Sequence, residues 1–80
     1  MKITEEYLQK FISAIQYYHF PFTNITVCCI TCTNGYNEIG YSACIDPNEF
    51  DEELGKQYAK ENAEMKLKEK LAFYLKSCKD

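Results

Sequence analysis

The chain has 80 residues, of which 46% are hydrophobic and 15% aromatic, which is enough for one small domain and too few for two cores. The net charge is −3 and all nine basic residues are lysines, which argues against a DNA or RNA duplex as a partner. No apolar run reaches the roughly 18 residues of a membrane span, and residues 1–11 alternate acidic and apolar side chains, unlike a signal peptide. These features predict a cytosolic protein with no membrane partner.

The chain is expected to begin with an α-helix that runs from about Glu5 to His19. Thr4 is a suitable N-cap, and Glu5 lies near the positive end of the helix dipole. The apolar residues that recur at helical spacing are Leu8, Phe11, Ile12, Ile15 and Tyr18. Pro21 then prevents the helix from continuing, so a short loop over residues 20–24 follows.

A β-hairpin is predicted next, because Asn34-Gly35 separates the β-rich runs 25–33 and 36–45. Asn and Gly tolerate the positive φ of a two-residue type I′ turn, which would pair residue 33 with 36, 31 with 38 and 29 with 40. This register predicts a helix-packing face and a mixed second face. The first face would carry Cys28, Ile30, Ile39, Tyr41 and Ala43, and the second Ile25, Val27, Cys29, Thr31, Tyr36, Glu38, Gly40 and Ser42.

The last predicted element is a long helix from about Asp51 to Ser77, introduced by the helix-start pattern Asp46-Pro47. Small residues at intervals of four, Gly55, Ala59 and Ala63, would let another backbone approach closely. The expected fold is therefore a single α+β domain, residues 1–80, with the order α-β-β-α and an antiparallel hairpin packed on the C-terminal helix. Since a lone hairpin is not stable, we expect dimerisation to extend the sheet to four strands.

Motifs for catalysis and for metal binding are largely missing. Cys29 and Cys32 form one Cys-x-x-Cys pair, but on a strand they point to opposite faces, and no second pair completes a zinc site. His19 is the only histidine, and the sequence contains no glycine-rich phosphate loop. The five cysteines are expected to be reduced in the cytosol. We therefore predict no enzymatic activity, no metal and no cofactor.

Polar and aromatic side chains gather around the hairpin and the corner that follows it. The group comprises Tyr36, Tyr41, Ser42, Asp46, Asn48 and Glu49, with Tyr17, Tyr18 and His19 in a nearby connection. Tyrosine offers a flat apolar surface with a polar tip, and Asn or Ser can bind base edges or ribose hydroxyls. These residues therefore suit a small-molecule pocket. They equally suit ordinary packing and helix capping, since Tyr41 fits the core and Asp46 fits a helix start.

The region from Asn34 to Leu67 resembles a small phage-protein family typified by the gene 49 product of phage N4 and the gene 66 product of phage Sf6. The matching residues are Asn34, Gly35, Tyr36, Gly40, Ser42, Ala43, Cys44, Asp46, Pro47, Phe50, Asp51, Glu53, Gly55, Ala59, Ala63 and Lys66. The chain departs from the family pattern after Lys66, where the family tends to have an aliphatic residue and then Trp. Glu49 also stands where the family often has Asn.

That family resembles the Thoeris anti-defence sponges, phage proteins that bind the cyclic ADP-ribose isomer made by bacterial TIR-domain enzymes without cleaving it. Some sponges also bind cyclic oligonucleotides. The resemblance implies a protein of the host bacterial cytoplasm that forms a homo-oligomer, a dimer or dimers assembled into a hexamer, with pockets between protomers. Tyr36 or another exposed tyrosine would stack on the base, and Ser42, Asp46 and Asn48 would bind base or ribose edges. Lys66 and Lys70 would face the pyrophosphate.

A second hypothesis is a phage interaction module that binds and inhibits a host protein through the mixed hairpin face or an edge strand. It predicts a broad apolar patch that stays uncovered in the oligomer. The sponge hypothesis instead predicts a closed cleft at a subunit boundary.

Overall fold

The computed structural model describes residues 4–44, 46–49 and 51–77. They form the helix α1 (Glu5–Gln9), three strands, β1 (Ile12–His19), β2 (Ile25–Cys32) and β3 (Asn37–Ala43), a 3-10 turn (Pro47–Glu49) and the helix α2 (Glu52–Ser77). The strands make one antiparallel sheet in the order β1-β2-β3, and α2 packs across β2 and β3 on one face. The α+β class, the hairpin and the long C-terminal helix are confirmed.

The predicted first helix is wrong beyond its first turns. The Thr4 hydroxyl accepts a hydrogen bond from the Tyr7 amide at 3.1 Å, as expected of an N-cap, but the helix ends at Gln9. Residues 12–19 form a strand instead, in which Ile15 pairs with Ile30. This strand covers the second edge of β2, so the predicted hairpin gains a third strand from its own chain, which a two-stranded ribbon needs for stability.

The predicted type I′ turn and its register are also wrong. The Gly35 amide donates to the Cys32 carbonyl at 2.9 Å, the Cys32 amide donates to the Tyr36 carbonyl at 2.7 Å, and only Gly35 (φ 92°) has a positive φ in this turn. This is the pattern of a three-residue loop whose last residue is a left-handed glycine. The extra loop residue pairs Cys29 with Ile39 and shifts the register by one.

This shift exchanges the two faces of β3, because side chains alternate along a strand. Ile39 and Tyr41, predicted to face the helix, are 46% and 58% exposed on the opposite side. Glu38 and Gly40 face α2 instead and are buried. The core that forms between the sheet and the helices consists of Leu8, Cys28, Ile30, Cys32, Ala59, Ala63 and Leu67.

The small residues of α2 perform the predicted role of allowing close approach. An added Cβ on Gly40 would lie 2.2 Å from the Ala63 nitrogen and 2.5 Å from the Ala59 carbonyl oxygen, so β3 and α2 are nearly in backbone contact. The Ser42 hydroxyl donates to the Gly55 carbonyl at 2.7 Å at the other end of the same contact. Gly40 and the small residues on α2 therefore form one joint between the strand and the helix.

The outer edge of β3 is occupied by side chains from α2. The Tyr41 amide donates to Asn62 Oδ1 at 3.1 Å, and Lys66 Nζ donates to the Ile39 carbonyl at 3.4 Å. A second strand that paired with β3 here would have to displace both contacts. Extension of the sheet by dimerisation remains a prediction, and β1 is the more accessible edge for it.

The sheet surface opposite α2 is uncharged, and within the described residues no helix packs on it. We call it the open face. Its members, given by the strand registers, are Ala14, Gln16, Tyr18, Ile25, Val27, Cys29, Thr31, Asn37, Ile39, Tyr41 and Ala43. Since 26% of the chain is charged, a whole sheet face without charge is a surface suited to burial against a partner.

Candidate functional site

A groove lies where the β2–β3 turn meets the second half of α2. It has a volume of about 220 Å³ and is mainly apolar, and we call it the hairpin groove. Its walls are Phe11, Cys32, Asn34, Tyr36, Leu67, Lys70, Leu71 and Tyr74. Leu67 is 1% exposed and forms part of the core, whereas Tyr74 is 60% exposed. Core packing thus fixes one side of the groove, and the other side opens toward solvent.

Two of the predicted site residues, Tyr36 and Lys70, meet at the rim of this groove. Lys70 Nζ donates to the Tyr36 hydroxyl at 2.9 Å and lies 3.0 Å from Glu38 Oε1, and it stands 5.6 Å from the centre of the Tyr36 ring. The Tyr36 hydroxyl donates to Glu38 at 3.2 Å. Sequence reasoning placed Glu38 on the same strand face as Tyr36 but did not include it among the candidate site residues.

Glu38 is only 5% exposed, so Tyr36 and Lys70 supply polar contacts that water cannot readily provide. The hydrogen bond to Tyr36, and then the contacts with Glu38, raise the pKa of Lys70 from its ordinary 10.5 to about 12. A cation whose pKa is higher in the folded state stabilises that state below its unfolded pKa and loses this effect as the pH rises through its folded pKa. The contribution of Lys70 is therefore complete below pH 10.5 and is lost toward pH 12.

We predict that the wild-type protein loses stability relative to Lys70→Arg across this interval, because arginine keeps its charge throughout. The measurement is the free energy of urea unfolding for both proteins at about pH 9 and about pH 12, where the difference between them isolates residue 70 from the other titrating groups. A difference that does not change with pH would show that the ion pair adds nothing to folding.

The other predicted polar residues, Ser42, Asp46 and Asn48, lie at the far end of β3. The Ser42 hydroxyl is bound to Gly55, and Asp46 Oδ1 accepts the Asn48 amide at 3.0 Å, so two of the three act in local structure. Asn48 is exposed. One chain therefore does not bring these residues together with Tyr36 and Lys70, since β3, seven residues long, separates the two ends by roughly 20 Å.

Lys66 forms a different pair from Lys70, although the two are one helical turn apart. Its ammonium lies 5.7 Å from the centre of the Tyr41 ring, outside the hairpin groove, and its hydrogen bond goes to the Ile39 carbonyl. Within the described residues no carboxylate pairs with Lys66. Sequence reasoning placed Tyr41 among the polar and aromatic candidates, but the predicted register turned it toward the helix.

Two of the thiols, those of Cys28 and Cys32, are poorly suited to nucleophilic chemistry. Burial raises the pKa of the Cys28 thiol to about 11, and burial together with Glu38 raises the pKa of Cys32. Both are protonated at neutral pH and are therefore weak nucleophiles. His19 Nε2 lies 2.6 Å from the Thr23 carbonyl in the β1–β2 loop. Cys78 lies outside the described residues, which contain no cluster of three or more metal-binding side chains.

One of the comparisons with known proteins supports the phage-family resemblance noted in the sequence. A search of curated proteins gave no match, and a search of solved structures gave none either. In the ranges that the structure describes, neither helix combines the length and the apolar character needed to cross a bilayer. Residues 3–78 match the family described as Phage protein (N4 Gp49/phage Sf6 gene 66) family. The match spans nearly the whole chain, and the protein therefore belongs to this phage protein family.

Proposed function

We propose that this phage protein binds a small cyclic nucleotide immune signal, a cyclic ADP-ribose isomer made by TIR-domain enzymes, and holds it without cleavage. Cyclic oligonucleotides are further candidate ligands. The proposal takes its ligand class from the resemblance to the Thoeris anti-defence sponges. The structural observation that supports it best is the hairpin groove, which combines an apolar floor with aromatic walls and a lysine at its rim.

The size of the groove indicates how such a ligand would be held. Small-molecule sites usually enclose roughly 300 to 1,000 Å³. The hairpin groove, at about 220 Å³, falls below this range and is open on one side. A nucleotide ring would fill it and still project outward, so the proposed site needs a second wall.

A second copy of the chain is the proposed source of that wall. If two copies associate around a twofold axis with their β3 strands antiparallel, the Tyr36 end of one lies beside the Asn48 end of the other. This arrangement unites the two groups of predicted residues that β3 keeps apart in one chain.

The test mixes purified protein with a panel of cyclic nucleotides and cyclic ADP-ribose isomers and measures thermal unfolding. A ligand at a hundredfold excess over its Kd stabilises the native state by about 2.7 kcal/mol, which is roughly 10 to 20 °C for a domain of this size. The bound ligand is then released by heating and analysed by chromatography. Intact ligand is the expected product.

Two outcomes would overturn the proposal in different ways. A chemically altered ligand would show that the protein is an enzyme. The absence of any shift across the panel would favour the second hypothesis, binding to a host protein.

The β1–β2 loop supports that second hypothesis. Phe22 has φ 62° and a fully exposed ring, and the Thr23 amide donates to the Phe20 carbonyl across it at 3.2 Å. With Pro21 before it, Phe22 occupies the position of a type II turn where glycine is normal. A bulky residue kept in a strained, fully exposed position is typical of a contact site. Loss of host-protein capture in Phe22→Gly, with the nucleotide panel inactive, would favour this function.

A further inference from the structure

We infer that Tyr41, Asn62 and Lys66 form a binding ledge for a ligand that carries an aromatic base and a phosphate, and that this ledge, rather than the Tyr36–Lys70 pair, receives the anionic part of the ligand. The inference deepens the proposed function and rests on it for the identity of the nucleotide. The ledge lies where the outer edge of β3 meets α2, beside the open face.

The two lysines differ in how their charge is already used. Lys70 is 3.0 Å from Glu38, whose side chain is 7% exposed, so an anion that took Lys70 would leave a buried carboxylate without its cation. Lys66 has a backbone carbonyl as its hydrogen-bond partner, at 3.4 Å, and the described residues offer it no carboxylate. An arriving phosphate can therefore bind Lys66 without breaking an ion pair.

The ring beside Lys66 supplies the second requirement, a stacking surface. Tyr41 is 58% exposed, and the Lys66 ammonium lies 5.7 Å from the centre of its ring. Bases stack on exposed aromatic rings regardless of sequence, because every base has a π face. The lysine stem is flexible, so its ammonium can move from the ring to a phosphate held at the ring edge.

Asn62 supplies a directional group on the same ledge. Its Oδ1 accepts the Tyr41 amide at 3.1 Å, which fixes the side-chain amide and leaves its NH₂ group without an acceptor among the described residues. An amide oriented in this way can donate to a ribose or phosphate oxygen. The three residues thus offer a flat surface, a cation and a fixed donor within one helical turn and one strand.

The test compares three variants, Lys66→Met, Tyr41→Leu and Lys56→Met. Lys56 is the matched control, because its ammonium stands over Tyr17 at 5.8 Å in the same kind of contact on the other side of the sheet. The probes are ADP, which carries an adenine and a diphosphate, and the cyclic ADP-ribose isomers. We expect Lys66→Met and Tyr41→Leu each to weaken binding by roughly tenfold or more in calorimetry, and Lys56→Met to bind like wild type.

A second measurement needs no variant. Titration of wild-type protein with ADP, followed by backbone amide NMR, should shift residues 39–43 and 62–66. Shifts confined to 34–36 and 70–74 would overturn the inference, as would unchanged affinity in Lys66→Met.

The outcomes separate this inference from the proposed function. ADP binding at the ledge with no response to any cyclic nucleotide would uphold the ledge and overturn the sponge function. Tight binding of a cyclic ADP-ribose isomer by both wild type and Lys66→Met would uphold the function and overturn the ledge. If wild-type protein binds neither probe, both are wrong.

Discussion

Replacing Gly40 with alanine is expected to lower the free energy of unfolding by about 3 kcal/mol or more, a large share of the stability of an 80-residue domain. The new Cβ would lie 2.2 Å from the Ala63 nitrogen, 2.5 Å from the Ala59 oxygen and 2.6 Å from the Ala63 Cα. All three are backbone atoms, so no side-chain rotation can relieve the overlap. The helix has to move away from β3.

Gly35→Ala is the control for this experiment. Gly35 has a positive φ of 92° and nothing within 4 Å of an added Cβ, so the substitution adds backbone strain without steric overlap. Its expected cost is about 1 kcal/mol. Urea unfolding of both variants measures the difference. Equal costs at the two glycines would mean that α2 does not lie against β3 as described.

Replacing Ile30 with alanine is expected to cost about 2 to 5 kcal/mol, whereas Ile39→Ala is expected to cost less than about 1 kcal/mol. Ile30 is fully buried on the central strand beneath α2, and its truncation leaves a cavity in the core. Ile39 is 46% exposed on the open face, so its truncation removes little buried surface from the isolated chain.

This pair of variants tests the register of the hairpin directly. The register expected for a two-residue turn places Ile30 and Ile39 on the same face beneath the helix, and it predicts similar losses for both. The register in the structure places them on opposite faces. Measurements should be made at a protein concentration low enough to exclude self-association, because a partner on the open face would bury Ile39. Equal losses in a monomer would contradict the observed register.

The hairpin shows how far sequence reasoning reaches in this protein. Asn34-Gly35 correctly marks the turn, but the same dipeptide fits a two-residue loop with two positive φ angles and a three-residue loop with one. The difference depends on which strand residues pack best beneath α2. Gly40 is the residue that decides it, because only a glycine there lets Ala59 and Ala63 reach the strand. That contact joins residues that are far apart in the chain, so local sequence patterns cannot predict it.

The prediction of a helix over residues 12–19 was wrong for a related reason. Ile12, Ile15 and Tyr18 fit the three- and four-residue spacing of a helix, yet isoleucine and tyrosine also favour strands. Local propensity cannot separate these choices over eight residues. The free edge of β2 decides in favour of a strand, because a third strand satisfies the backbone hydrogen bonds of β2 and shields it on both sides.

The candidate site was only partly predictable. Tyr36 and Lys70, chosen from sequence, do meet, since residues near a turn and near the end of a long helix are brought to the same end of the fold. Sequence reasoning did not identify Glu38, because its ion pair with Lys70 joins residues that are far apart in the chain. Ser42 and Asp46 have structural roles, because the side-chain oxygen of each is hydrogen-bonded to a backbone group.

Asn62 and Lys66, which occupy the outer edge of β3, also affect how the protein self-associates at high concentration. Crowded copies of a protein with two bare strand edges can add to one another without limit, as in cross-β fibres. Asn62 and Lys66 block one of those edges. If copies pair through the remaining edge strand, β1, growth closes after two molecules, so the contacts of Asn62 and Lys66 with β3 protect the protein from open-ended polymerisation.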